Sequence, residues 1–250
     1  MSVQACAHTV QRGDPDRFLA TMAVSPSLRE KLFPIYAFNV EIARAPWVTQ
    51  EPMIAEMRLQ WWRDALEEIA QGKAPRQHEV VTPLATVIDV QGAEILDKTV
   101  QARRWDIYKE PFQDATHFDE YLDATAAGVL WSACRAAGAS EDEIAVRDIG
   151  YASGLANWFL AIPKLSAAGR IPLLDGRPQA LSQLADRGLQ KLANLPAMPK
   201  SSRAVTLSAW RAKALLKMVR RDPALVLEPG LQQSEFSRRG TLLWQSFLVR

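Results

Sequence analysis

Carboxylates are the side chains of this 250-residue chain best suited to chemistry, so their spacing is tested first. A resident Mg²⁺ takes carboxylate and water oxygens in a near-octahedral shell, and a helix supplies paired carboxylates only from positions three or four residues apart. Glu56 and Asp64 lie eight residues apart in one helical stretch, and ion pairs with Arg58, Arg63 or Arg44 are their expected role. Asp97, Asp106, Asp114, Asp119 and Asp123 are expected at helix surfaces and caps. His8, His78 and His117 have no Cys or acid at ligand spacing, and Cys6 and Cys134 are too far apart for a zinc pair. No metal site is expected among them. No serine sits in a G-x-S-x-G frame, and no glycine-rich loop follows a strand-like run. Hydrolase-elbow, dinucleotide-binding and P-loop chemistries therefore have no support.

The elements that must position these residues read as helices. Asp14-Pro15-Asp16 is a helix start, with Asp14 as cap and Pro15 in the first turn, and residues 1–13 before it are expected to be flexible. From Leu28 to Ala45 apolar residues recur at three- and four-residue steps, with a break expected at Pro46. Pro52 opens a helix that Gly72 closes. Further helices are expected over Val81–Ile88, Ala93–Ile107, Asp119–Ala136, Glu141–Leu165, Leu181–Leu192, Ser202–Arg221 and Phe236–Phe247, with Gly169–Gly176 a loop. No repeat or low-complexity tract interrupts them. Together with eight tryptophans, this pattern predicts one all-α domain spanning 1–250.

Several of these segments carry a resemblance. Asp16-Arg17-Phe18-Leu19-Ala20-Thr21, Leu32 to Asn39 (LFPIYAFN), Arg58 to Leu66 (RLQWWRDAL), Gly150 to Asn157 (GYASGLAN) and Gly169 to Leu173 (GRIPL) occur in an order and spacing similar to the squalene/phytoene synthase family. The resemblance covers roughly residues 14 to 176 well and the last third loosely. It implies an isoprenoid-synthase bundle around a deep apolar cavity, within which active members join two prenyl diphosphates. Ionising a diphosphate needs Mg²⁺ to neutralise the leaving group, and the family presents that metal on two D-x-x-x-D patches. The cavity shields the carbocation from water. On this resemblance Tyr36, Asn39, Arg44, Arg58, Trp61, Trp62, Asn157 and Lys164 are the candidate cavity or ligand-binding residues, although Trp61, Trp62 and Trp105 also suit a core.

The chain departs from the family where the metal should bind. Ala43 and Trp47 occupy the first patch, with Arg44 between them, and Ala161 and Leu165 occupy the second, beside Lys164. No acid lies between Arg44 and Gln50 or between Ile149 and Arg170, so a register slip restores neither patch. Arg44 and Lys164 would repel a metal ion and could meet an anion directly. The pattern resembles a branch of the family that includes a mitochondrial complex I assembly factor related to phytoene synthases. The expectation is thus a non-catalytic scaffold without cofactor or metal, binding a protein partner or a lipid or prenyl ligand. Two rivals are a divergent prenyltransferase using Mg²⁺ at a relocated site near Glu56 or Asp64, and a simple lipid carrier.

Bulk properties narrow the partners. Thirty basic and 28 acidic residues leave a formal charge of +2, which gives no reason to expect nucleic acid. No apolar run reaches the length of a membrane span, and the first residues lack a secretory h-region, so a cytoplasmic chain is expected. A basic amphipathic stretch, Trp210–Arg221, is the candidate for peripheral membrane contact.

Overall fold

Aspartate side chains cap three of the helices of this protein. In the computed structural model, which describes residues 2–227 and 230–249, the Asp14 carboxylate accepts from the Arg17 amide at 3.0 Å. Asp89 does the same for Gly92 at 2.7 Å, and Asp114 for His117 at 2.8 Å. Each satisfies an amide that the first helical turn leaves without a partner. The helices are α1 (Val3–Gly13), α2 (Pro15–Met22), α3 (Pro26–Arg44), α4 (Pro52–Ala70), the single turn α5 (Val81–Leu84), α6 (Val90–Ala102), α7 (Ala115–Leu122), α8 (Gly128–Ala136), α9 (Glu143–Ala167), α10 (Pro178–Ala193), α11 (Lys200–Thr206), α12 (Ala212–Arg221) and α13 (Glu235–Leu248). There is no strand among the described residues.

Proline and glycine end the helices as their chemistry requires. Pro46 lies in a 3₁₀ turn, Ala45–Trp47, that stops α3. Gly72 takes φ of 67° just after α4, a conformation that costs other residues a steric penalty.

Two apolar clusters form the core. One gathers buried residues of α1 to α6 and α8, including Leu32, Ile35, Phe38 and Leu59, with Val146 and Ile149 of α9, Val205 of α11 and Trp210. The other gathers α7, α9, α10 and α12 around Phe118, Leu155, Phe159 and Leu215.

Three expectations are corrected here. Within the stretch expected to be flexible, Val3–Gly13 is helical, and Cys6 and Val10 are fully buried. Val3, Cys6, Ala7 and Val10 recur at helical spacing, and burying that stripe outweighs the lack of a side-chain cap. The stretch 202–221 is not one helix, because it breaks into α11, a 3₁₀ turn at Leu207–Ala209 and α12. Membrane contact through Trp210–Arg221 fails for a packing reason. Trp210 is buried, and the apolar stripe Leu215, Leu216 and Val219 packs into the second cluster, so no apolar face is left over.

Candidate functional site

The cavity between the two clusters has a volume of about 750 Å³, within the usual range for ligand pockets. Its walls come from the start of α2, the end of α3, the turn carrying Trp47, the Arg103–Asp106 turn, the α7–α8 junction, α9 and Ser208–Ala212. All four positions at which the sequence lacks carboxylates, Ala43, Trp47, Ala161 and Leu165, line this one cavity. Asn39, Arg44, Asn157 and Lys164 line it too. Spacing alone explains half of this. Residues 39 and 43 on α3, and 157, 161 and 165 on α9, are four apart and share a helix face.

The other predicted site residues lie elsewhere. Arg58, Trp61 and Trp62 line a separate pocket of about 350 Å³ with Glu41 and His78, and it touches the main cavity's wall only through Arg44 and Val48. Trp62 is buried with its ring edge-on to Phe38, and Trp61 packs beside His78. Tyr36 is fully buried beneath the cavity wall, and desolvation pushes its hydroxyl up to about 12. Its ring lies 4.9 Å from the Arg17 guanidinium.

Three carboxylates line the cavity, and each is engaged by arginine. Asp14 pairs with Arg17 at 3.4 Å. Asp16 takes Arg211 on one oxygen and Arg238, at 2.6 Å, on the other. Asp106 is almost wholly buried. Both its oxygens accept from the Tyr121 hydroxyl, at 3.0 and 3.1 Å, and Arg103 donates to the carboxylate at 3.1 Å and to the tyrosine oxygen at 2.8 Å. Burial, with the Asp106 charge adding to it, pushes the Tyr121 hydroxyl well above its ordinary range, so it stays a donor.

Mg²⁺ does not fit this donor set. It would have to displace guanidinium groups from every carboxylate present, and no three His, Cys, Asp or Glu side chains gather as a metal site among the described residues. Glu56 and Asp64 do not line the cavity. Glu56 pairs with Arg104 at 3.0 Å and accepts from Tyr108, and Asp64 accepts from Gln60 at 2.7 Å with Arg76 at 3.9 Å. Both are structural acids, with partners other than the arginines expected.

What the cavity does offer is positive charge. Lys164 is exposed on its wall and makes no salt bridge among the described residues, and Arg44 pairs only loosely with Glu41 at 3.6 Å. The nearly buried Asn39 has no hydrogen-bond partner for its carbonyl oxygen among the described residues.

The 169–173 segment braces two tryptophans of the cavity wall. Arg170 donates to the Tyr108 carbonyl at 3.0 Å and to the Asp106 carbonyl, and its guanidinium sits 4.6 Å from the Trp47 ring centre. Trp158 donates to the Pro172 carbonyl at 2.9 Å. The sequence reading did not single out Arg17, Arg103, Tyr121, Trp158 or Arg211 as cavity residues. Arg17 lies in the Asp16–Thr21 segment that carries the family resemblance and Trp158 follows Asn157 on α9, whereas the other three have no such signal.

A helical bundle closed around a cavity lined by α3 and α9 defines the class. The solved structure of a dehydrosqualene synthase in complex with ligand superposes with a TM-score of 0.75 at 15% identity, over 98% of this chain and 96% of that one. A squalene synthase from Alicyclobacillus acidocaldarius gives 0.69 at 17% identity, over 89% and 94%. Residues 10–233 match the squalene/phytoene synthase family, and the chain belongs to it.

Among curated proteins it is 27% identical to the "NADH dehydrogenase (ubiquinone) complex I, assembly factor 6 homolog" of Drosophila melanogaster, over 98% of this chain and 83% of that protein. It is 24% identical to human "NADH dehydrogenase (ubiquinone) complex I, assembly factor 6", over 63% of this chain and 48% of that one. The match thus spans about half the length of the human relative.

Proposed function

We propose that this protein is a non-catalytic prenyl-synthase-like scaffold that serves assembly of respiratory complex I, with a cavity kept for an anionic or polar-headed lipid or prenyl ligand. The observation that carries the reading is the cavity wall. Where two facing patches of carboxylates would hold Mg²⁺, the chain places Ala43, Trp47, Ala161 and Leu165, and arginines occupy the carboxylates that remain. Without Mg²⁺ on the diphosphate, ionisation lacks the divalent counter-charge that the family's chemistry uses, and Arg44 and Lys164 are left to hold an anion without a metal. Neither metal nor other cofactor is part of this reading. The assembly role is supported by relatives that bear that name, one of them aligned along nearly the whole chain. No helix of the described residues is long and apolar enough to cross a membrane.

The experiment is Mg²⁺-dependent diphosphate release from farnesyl and geranylgeranyl diphosphate by concentrated purified protein. We expect release no greater than from a heat-inactivated control. Turnover that Glu56→Gln or Asp64→Asn abolishes would establish a relocated metal site and end the scaffold reading. A parallel deletion in a host that makes complex I should lower the assembled complex on native gels, and unchanged assembly would remove the second half of the proposal.

A further inference from the structure

The pocket lined by Arg58, Trp61 and Trp62 has no part in the function proposed above, and its chemistry differs from the main cavity's. Its volume of about 350 Å³ lies near the lower end of the range for small-ligand sites. One wall is aromatic. The Trp61 and Trp62 rings stand 5.0 Å apart at 87°, and the His78 ring lies 5.1 Å from the first and 5.3 Å from the second. Arg76 donates to both Glu68 carboxylate oxygens at 2.8 and 2.9 Å, and its guanidinium sits 5.2 Å from the Trp61 ring centre. These contacts hold the rings in place ahead of any ligand, so binding has little side-chain freedom left to remove.

The polar groups of the lining are nearly all donors. Arg58 is exposed and makes no hydrogen bond or salt bridge among the described residues. Arg44 lines this pocket as well as the main cavity, and its ion pair with Glu41 is loose at 3.6 Å. His78 accepts the Val80 amide on Nδ1 at 3.1 Å, which leaves Nε2 as the protonated nitrogen of the neutral ring. Trp62 is buried, yet neither its indole N–H nor that of Trp61 has a hydrogen-bond partner among the described residues. A buried indole N–H usually has one. Glu41 is the only carboxylate among the described residues of the lining.

We infer that this pocket binds a small planar aromatic anion, a carboxylate or phosphate carried on a flat ring. The anionic group would meet Arg58 and Arg44, with His78 and the indoles as further donors, and the ring would lie against Trp61. Clustered aromatic rings also suit a quaternary ammonium ion. Two features speak against that ligand here. The three rings are in contact with one another, so they make a wall and not a cage, and two guanidinium groups face one carboxylate. The inference stands apart from the scaffold reading, because it needs neither a ligand in the main cavity nor complex I.

The test is isothermal titration of the full chain with 2-naphthoate and 2-naphthyl phosphate, beside cyclohexanecarboxylate, inorganic phosphate and uncharged 2-naphthol. A naphthyl anion should bind about tenfold or more tightly than each of the three comparison compounds. Arg58→Ala should weaken it about tenfold or more. Glu41→Gln, which removes the opposing charge, should tighten it about threefold. A gain in affinity cannot come from misfolding, so this variant keeps the test intact if Arg58→Ala disturbs the helix. In ¹H–¹⁵N spectra, the indole signal that Trp61→Phe removes should move as 2-naphthoate is added. No binding of either naphthyl anion, or equal binding of any comparison compound, overturns the inference. So does binding that survives Arg58→Ala and is lost in Lys164→Ala, which would put the anion in the main cavity.

Discussion

Asp106 is the most buried of the three acids in the cavity wall. Its two oxygens share the single Tyr121 hydroxyl proton, one of them also accepts from Arg103, and its backbone carbonyl takes Arg170. Replacing the carboxylate by an amide leaves Arg103, mostly buried itself, without its counter-charge. Breaking such a pair from one side is costly because the remaining charge keeps its desolvation penalty. Asp106→Asn should lower stability by about 3 kcal/mol in urea unfolding. A loss under about 1 kcal/mol would mean that water reaches Arg103 and that the network is ordinary surface chemistry. The sequence could not show this. Asp106 falls in a run that reads as the continuation of α6, and its fate depends on a 3₁₀ turn that brings it under Tyr121, 15 residues later. The replaced positions were legible because they need only the four-residue step of a helix and an aligned neighbour.

At the scale of elements, the close crossing of α9 decides how the cavity is framed. Gly150 sits where an added Cβ would come within 2.5 Å of the Ala127 Cα and 3.2 Å of its amide nitrogen. Those are backbone atoms, which cannot rotate aside. They belong to the π-helical turn Asp123–Ala127, an insertion that places Thr125 and Ala126 in the cavity wall. Gly150→Ala should therefore destabilise by about 1–3 kcal/mol in thermal unfolding. Gly240→Ala, with nothing within 4 Å of the new Cβ on α13, should be neutral or stabilising. Equal effects at both sites would show that helix propensity and not proximity governs Gly150.

Periodicity made α3, α4, α9 and α10 readable, and the Asp14 cap was chemically explicit. The π turn was not, since Asp119–Ala136 keeps helical composition throughout and the extra residue arises from packing. Nor was the break at Leu207–Ala209, where no proline or glycine stands.

For the molecule as a whole, buried acids that must stay protonated set an alkaline limit. Burial, with the nearby Glu79 charge, pushes the Cys6 thiol up to about 11, and burial raises Cys134 further. In the unfolded chain a thiol titrates near 8.5. A folded value above the unfolded one means that the unfolded chain releases the proton first. Stability is therefore full below the unfolded value and falls as pH rises toward the folded one. The urea midpoint should drop between about pH 8 and about pH 10, and drop less in Cys6→Ala/Cys134→Ala. An identical slope in that variant would assign the loss to the buried tyrosines alone. At neutral pH neither thiol should react with a disulfide reagent before unfolding, because the thiolate is the nucleophile.

The cavity's lining runs from Gly13 to Ala212, and Trp210 donates from one end of that span to the Asp16 carbonyl at the other, at 3.4 Å. This separation has a consequence in time. A ribosome must deliver more than 200 residues before the cavity can close, so its charged walls spend most of synthesis in water. Contacts between such distant parts of a chain form late because closing so large a loop is entropically slow. The first apolar cluster can largely assemble beforehand from α1 to α8. Whatever the cavity receives thus meets a nearly finished protein, and truncation before Ala212 would leave a cored but open half-shell.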